Sequence, residues 1–398
     1  MRHWKMLASI GSILLLVFLG AILLANGWSF SVLHRSPQGH LSARQGTSYY
    51  VSPTGSDTAV GSSGQPFATI QKAASLATAG TTVHVLPGTY TQSVYNTLNG
   101  TALARITFIS DVKWGAKIVT HGIRTSWTNF GSYVDIEGFD ITGDGDIGIN
   151  DYGSYVRIIG NHVHNYALAS CGINGAAGID DSENNGNHDN SVIGNVVDHI
   201  GPPLTTYCNL DQGIYHSTPN GYIANNIVYA IAAYGLHTWH SATGVTMVNN
   251  LVFNCGEGGI IVAANHVIPD NFLVANNIVL HTNNVGIYEY GQTGIHNRYL
   301  NNLVYANPTN ILVQRSTEAQ GTLTVDPLLV NYQADGSGDY HLSARSPAIG
   351  AGTSVQVASV DINGNPRVVG KASDLGPYVY GGLNAAKIMK KLFAKKSF

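Results

Sequence analysis

The chain has 398 residues, only 11% of them charged, a net charge of −3, 46 glycines and 21 tyrosines. That balance excludes nucleic acid as a partner, since phosphate neutralisation needs a basic surface. Low charge with abundant glycine, asparagine and β-branched residues favours many short strands joined by tight turns. No lysine occurs between Lys117 and Lys371, so cationic chemistry in the central body falls to arginine or histidine.

From the N-terminus, residues 1–30 contain an uncharged run, Met6 to Ala25, preceded by Arg2 and Lys5. A bilayer-spanning helix needs about 20 apolar residues, and positive charge ahead of it sends the remainder outward. The run predicts a signal anchor or a signal peptide, and in both cases an extracytoplasmic body, secreted or held at the cell surface by a membrane anchor. Residues 31–48 read as a polar linker. Phe67–Ala77 is amphipathic at helical spacing through Phe67, Ile70, Ala74 and Ala77, and suits a helix capping the first coil of a repeat.

The repeat is the strongest signal. Asn161, Asn195, Asn226, Asn250, Asn277 and Asn302 each have Ile158, Val192, Ile223, Met247, Val274 or Tyr299 three residues before them. Each also has Val163, Val197, Val228, Val252, Val279 or Val304 two residues after. Phe139 holds the same place in an earlier unit, and the spacing runs from 22 to 34 residues. Short β-rich units at such a period predict a solenoid, an all-β right-handed parallel β-helix with three sheets. The asparagines then form an inward ladder. A second strand per coil is marked by glycine and an aliphatic residue, as in Gly178-Ile179, Gly213-Ile214, Gly235-Leu236, Gly259-Ile260 and Gly286-Ile287. Alternation points the next residue outward, which places Asp180, Tyr215, His237, Ile261, Tyr288 and Leu312 in one external row. Trp239 and Tyr290 belong to a neighbouring row. Cys171 and Cys208 suit either a bridge or a pair of buried thiols. Residues 381–398 form a basic tail carrying five lysines from Lys387 to Lys396.

The stretch Tyr49–Tyr90 resembles the opening of bacterial right-handed β-helix proteins, including family 9 of the polysaccharide lyases. The segment Val325–Tyr380 resembles the terminal part of such exported proteins. The likeness covers residues 49–380, with an N-terminal cap over 49–90 and a C-terminal segment over 325–380. It implies the pectate lyase-like fold and a carbohydrate substrate. Family 9 pectate lyases use a lysine base beside a calcium held by aspartates, and this chain has no lysine between Lys117 and Lys371.

Aromatic faces suit sugar rings, whose C–H faces are apolar. β-Elimination of a uronate polymer needs a base at C5, an acid at the leaving oxygen and a group that neutralises the carboxylate. The expected base is His237, with Tyr215 or Tyr288 as acid and Trp239 and Tyr290 against the sugar. Neutralisation is assigned to Arg298, Arg315, a protonated His240, or a calcium on Asp180, Asp181 and Asp211. Return of the proton from the opposite face would give C5-epimerisation. His216 falls on an inward position and reads as a core histidine. The rival readings are hydrolysis through Asp180 and Asp211, and a non-catalytic glycan-binding or adhesive surface protein. A monomer is expected, acting on a uronate-containing polysaccharide.

Overall fold

The computed structural model describes residues 46–315, 318–368 and 370–382. The anchor or signal segment of residues 1–30, nearly all of the linker and the basic tail from 383 lie outside the described residues. The first strand, Ser48–Val51, takes in the last residue assigned to the linker. Among the described residues no helix is long and apolar enough to cross a membrane.

The body is a right-handed parallel β-helix of three sheets, with 11, nine and nine strands. One coil shows the order. Ser191–Ile193 belongs to the first sheet, Val196–Ile200 to the second and Asp211–His216 to the third, before Tyr222–Ala224 re-enters the first sheet one rung on. Rungs stack at the strand spacing of about 4.8 Å.

Two inner ladders explain the repeat. Each asparagine oxygen accepts the backbone N–H of its predecessor, as Asn226 Oδ1 does from Asn195 at 2.9 Å and Asn250 Oδ1 from Asn226 at 2.9 Å. The amide also donates to the next asparagine oxygen and to a strand carbonyl, for Asn250 at 3.0 Å each, to Asn277 and Ile223. Backbone groups at a buried corner are thus satisfied by a side chain that repeats once per coil. The glycines of the second motif answer a steric demand. A Cβ at Gly178, Gly235 or Gly259 would sit 2.3 Å from the Cγ1 of Val197, Val252 or Val279, so the glycine and valine ladders require each other.

The residue before each ladder asparagine turns the corner with positive φ. Gly160 and Gly194 do so in early coils, and Asn225, Asn249, Asn276 and Asn301 in later ones. Those four asparagines donate outward to Val360, Asp374, Thr353 and Ala351 carbonyls at 2.8–3.0 Å. They fasten the C-terminal segment over the later coils. There Tyr340, Leu342, Ala348 and Leu375 bury the outer face of the second sheet at Ile227, Tyr229, Leu251, Phe253, Ile278 and Leu280.

Near the other end, a helix forms over Ile70–Leu76, shorter than Phe67–Ala77. Thr69 is its N-cap, accepting from Lys72 N–H at 3.0 Å, and Ile70, Ala73 and Ala74 are buried against the first strands. Cys171 and Cys208 form a disulfide with Cα atoms 5.2 Å apart, and Cys255 is free and buried.

Candidate active site

The outward row of the third sheet is in the expected register. Asp180 pairs with Tyr215, Tyr215 with His237, His237 with Ile261, Ile261 with Tyr288 and Tyr288 with Leu312. Residues up to 35 positions apart in sequence therefore stand side by side. The ring of Tyr215 meets the His237 ring edge-on at 5.3 Å and the His240 ring at 6.0 Å. His237 is also flanked by Tyr234 at 5.0 Å and Trp239 at 5.8 Å, and Trp239 by Tyr290 at 6.0 Å.

This row floors a cleft of about 940 Å³ whose lining includes Asp180, Tyr215, His237, Trp239, His240 and Tyr290. One wall carries Ile173 and Tyr207, on two long loops that the Cys171–Cys208 bridge ties together. The opposite wall carries Glu183 and His266, on loops leaving the third sheet. Glu183 accepts from Ser241 at 2.6 Å and pairs with His266 Nδ1 at 2.8 Å.

The electrostatics are uneven along the floor. Burial, reinforced by Asp181, pushes the Asp180 carboxyl up to about 7, although Arg124 draws it down somewhat. Burial and the nearby Asp180 raise the Tyr215 phenol, so it stays protonated. Burial, helped by His240, pushes His237 down to about 3. Burial and His266 also lower His240. Three buried polar atoms on this floor have no hydrogen-bond partner among the described residues: Asp180 Oδ1, His237 Nδ1 and His240 Nδ1. Buried polar atoms are nearly always paired, so a polar ligand would complete what the protein leaves open.

Several expected site residues stand elsewhere. Tyr288 is two rungs from His237, about 9–10 Å by strand spacing. It packs against the cluster of Ile261, Ala263 and Val285 and does not line the cleft. Arg298 begins a strand of the first sheet, paired with Leu273, because it immediately precedes Tyr299 in the last repeat. Arg315 lies past the final strand of the third sheet, and its backbone N–H donates to Glu289. Neither arginine lines the cleft. The proposed calcium ligands do not gather. Asp181 points into the tube, where its carboxylate lies 2.6 Å from His216 Nδ1 and accepts from Thr218 at 2.8 Å. Asp211 pairs with Ala176, four residues before Asp180 and about 13 Å along the strand, and accepts from Gly172 N–H. These three carboxylates do not fit one calcium. His216 is a fully buried core histidine, as its inward position implies.

Arg124, Asn150, Tyr234, Glu183 and His266 also line the cleft and were not expected. Gly148-Ile149 carries the same glycine–aliphatic signal as the later coils, so Asn150 was legible, and it pairs with Asp180. Tyr234 opens the strand that carries His237, while Arg124, Glu183 and His266 depend on loop paths.

A family model described as a protein of unknown function (DUF1565) matches residues 53–99. No curated protein matches the chain. Among solved structures the chain is similar to pectate lyase Pel9A, with 18% identity and a TM-score of 0.56 over 85% of this chain and 98% of that one. It is also similar to a rhamnogalacturonan lyase, with 14% identity and a TM-score of 0.47 over 72% of this chain and 91% of that one. Such identities speak for fold alone. By its three stacked sheets, the chain is a right-handed parallel β-helix, similar in fold to Pel9A along nearly all of that protein's length.

Proposed function

We propose that this chain is an extracytoplasmic protein acting on a uronate-containing polysaccharide by proton abstraction at C5, leading to β-elimination or epimerisation. The observation that carries this reading is the run of Asp180, Tyr215 and His237 on three successive rungs, within an aromatic-walled cleft. His237 is neutral at physiological pH and so is free to accept the C5 proton. A bound carboxylate beside it raises its basicity as the proton arrives. Electrons from the broken C5–H bond pass into the substrate carboxylate. Expulsion of the C4 oxygen follows, and Tyr215, kept protonated by burial and by Asp180, delivers the proton to that oxygen. Tyr215 takes this role rather than Tyr288, which is a rung too far. His240 contributes a neutral N–H rather than a charge. Arg124, whose field reaches Asp180, would hold a uronate carboxylate further along the chain. Trp239 and Tyr290 offer faces for sugar rings. A disulfide joining the cleft loops suits an oxidising compartment.

Incubation with alginate, pectate and glycosaminoglycans tests the reading. Elimination creates the ultraviolet band of unsaturated uronates, and epimerisation changes the C5 proton signals without it. If neither occurs on any of these polymers, or if His237→Ala retains full activity, the assignment is wrong. One observation favours a hydrolytic alternative: Asp180 is raised to about 7, while the Ser241 and His266 hydrogen bonds lower Glu183. Carboxyls pushed apart in this way can serve as acid and base. New reducing ends without the ultraviolet band, lost in both Asp180→Asn and Glu183→Gln, would select it.

A further inference from the structure

We propose that Asp140, His162 and His164, on the outer face of the second sheet, form a binding site for a divalent transition metal, with zinc the best match. His162 and His164 alternate onto one face of their strand, and their rings stack at 4.0 Å. Asp140 is the partner of His162 on the preceding rung. Its two oxygens lie 3.2 Å from His164 Nε2 and 3.7 Å from His162 Nδ1. One ligating atom from each of the three residues falls within 4.8 Å of the others. Tetrahedral zinc with bonds of about 2.0–2.2 Å separates its ligand atoms by roughly 3.4 Å, close to these spacings.

The supporting contacts also have the form a metal site requires. A ligating imidazole usually gives its second nitrogen to a carboxylate. His162 Nε2 does so, 2.8 Å from Asp198 on the following rung. Asp198 is in turn held by His199 Nδ1 at 2.6 Å, and the Trp114 ring covers one side of His162 at 5.1 Å. A divalent ion here would balance the Asp140 and Asp198 carboxylates. Imidazole donors favour zinc over calcium or magnesium, and three protein ligands leave a position open to solvent. The location is also distinctive. In later coils the same outward rows carry Ile227 and Tyr229, then Leu251 and Phe253, all under the C-terminal segment.

The test is calorimetric titration of the EDTA-treated, tag-free full chain with Zn²⁺ at pH 7.5, with Co²⁺ absorption as the spectroscopic check. The proposal expects one Zn²⁺ to be lost in Asp140→Asn and His164→Gln, and bound about 10–100-fold more weakly in Asp198→Asn. His266→Gln separates this site from the second His/Glu group, Glu183, His240 and His266, and should leave the assigned Zn²⁺ in place. Absence of Zn²⁺ uptake would overturn the proposal, as would uptake abolished by His266→Gln but retained in His164→Gln. Circular dichroism confirms that each variant folds. Should Asp140→Asn fail to fold, the wild-type chain must show tetrahedral Co²⁺ bands and a rise in Tm with Zn²⁺, both absent in His164→Gln, or the site is refuted.

Discussion

The cleft floor and the histidine–aspartate group on the second sheet are made in the same way, from outward side chains on consecutive rungs, yet their histidines behave oppositely. His237 sits among Tyr215, Tyr234 and Trp239, and burial pushes it down to about 3. His162 is also partly buried, but hydrogen bonds to Asp140 and Asp198 outweigh that and raise it to about 9. Residue type and rung geometry are nearly shared. In the metal-free chain, the neighbouring carboxylates decide which histidine is a neutral proton acceptor and which is an ion-pair member.

The largest expected difference between the two regions is in activity. His237→Ala should lower turnover by about 10²–10⁴-fold, the usual scale for a lost general base, whereas His162→Gln should leave it within about twofold. Initial rates on the responsive polymer compare them, and equal losses would erase the distinction. Next comes Asp180. Its folded pKa is raised, so its contribution to stability is present below the ordinary carboxylate value near 3.8 and lost as pH rises through about 7. Asp180→Asn should therefore stabilise the fold at pH 8 relative to pH 4 by about 2 kcal/mol, allowing for water at the open side of the cleft. Urea unfolding at both pH values measures this.

The two histidines should shift stability in opposite directions, by about 1–2 kcal/mol each. In the EDTA-treated, metal-free chain the stabilisation from His162 is fully present below its ordinary value near 6.5 and lost as pH rises through about 9. His162→Gln should thus cost more at pH 6 than at pH 10. His237 stays neutral while the unfolded chain takes up a proton, so it penalises the fold as pH falls from 6.5 towards 3. His237→Gln should gain stability at pH 5 relative to pH 8. Parallel pH profiles for the two variants would break the comparison. The smallest effect belongs to Trp239→Ala, where loss of one stacking face should raise KM about fivefold with kcat little changed.

Much of the cleft floor was legible because strand alternation and a fixed repeat convert sequence distance into adjacency. The order Asp180, Tyr215, His237, Ile261, Tyr288, Leu312 survives intact in the sheet. Its active stretch was not legible. Tyr288 shares the row but does not line the cleft, although Ile261 and Tyr290 beside it do. Asp180 and Asp181 look like a pair in sequence, and alternation places them on opposite sides of the sheet. Arg298 did carry a signal against its assignment, because the position before Tyr299 belongs to the first sheet. Glu183 and His266 carried none, since irregular loops have no period to read.

What the sequence determined alone is the interior. Asparagine, valine and glycine recur because each coil must satisfy the same buried corner and avoid the same Cβ clash, and such a requirement repeats wherever a rung stacks. What only the tertiary structure decided is the exterior. Loops tied by Cys171–Cys208 wall the cleft, and a distant C-terminal segment covers the later coils of the second sheet while leaving Asp140, His162 and His164 uncovered by its apolar side chains. Those outcomes depend on where irregular chain packs, and on how much water it removes from each charge.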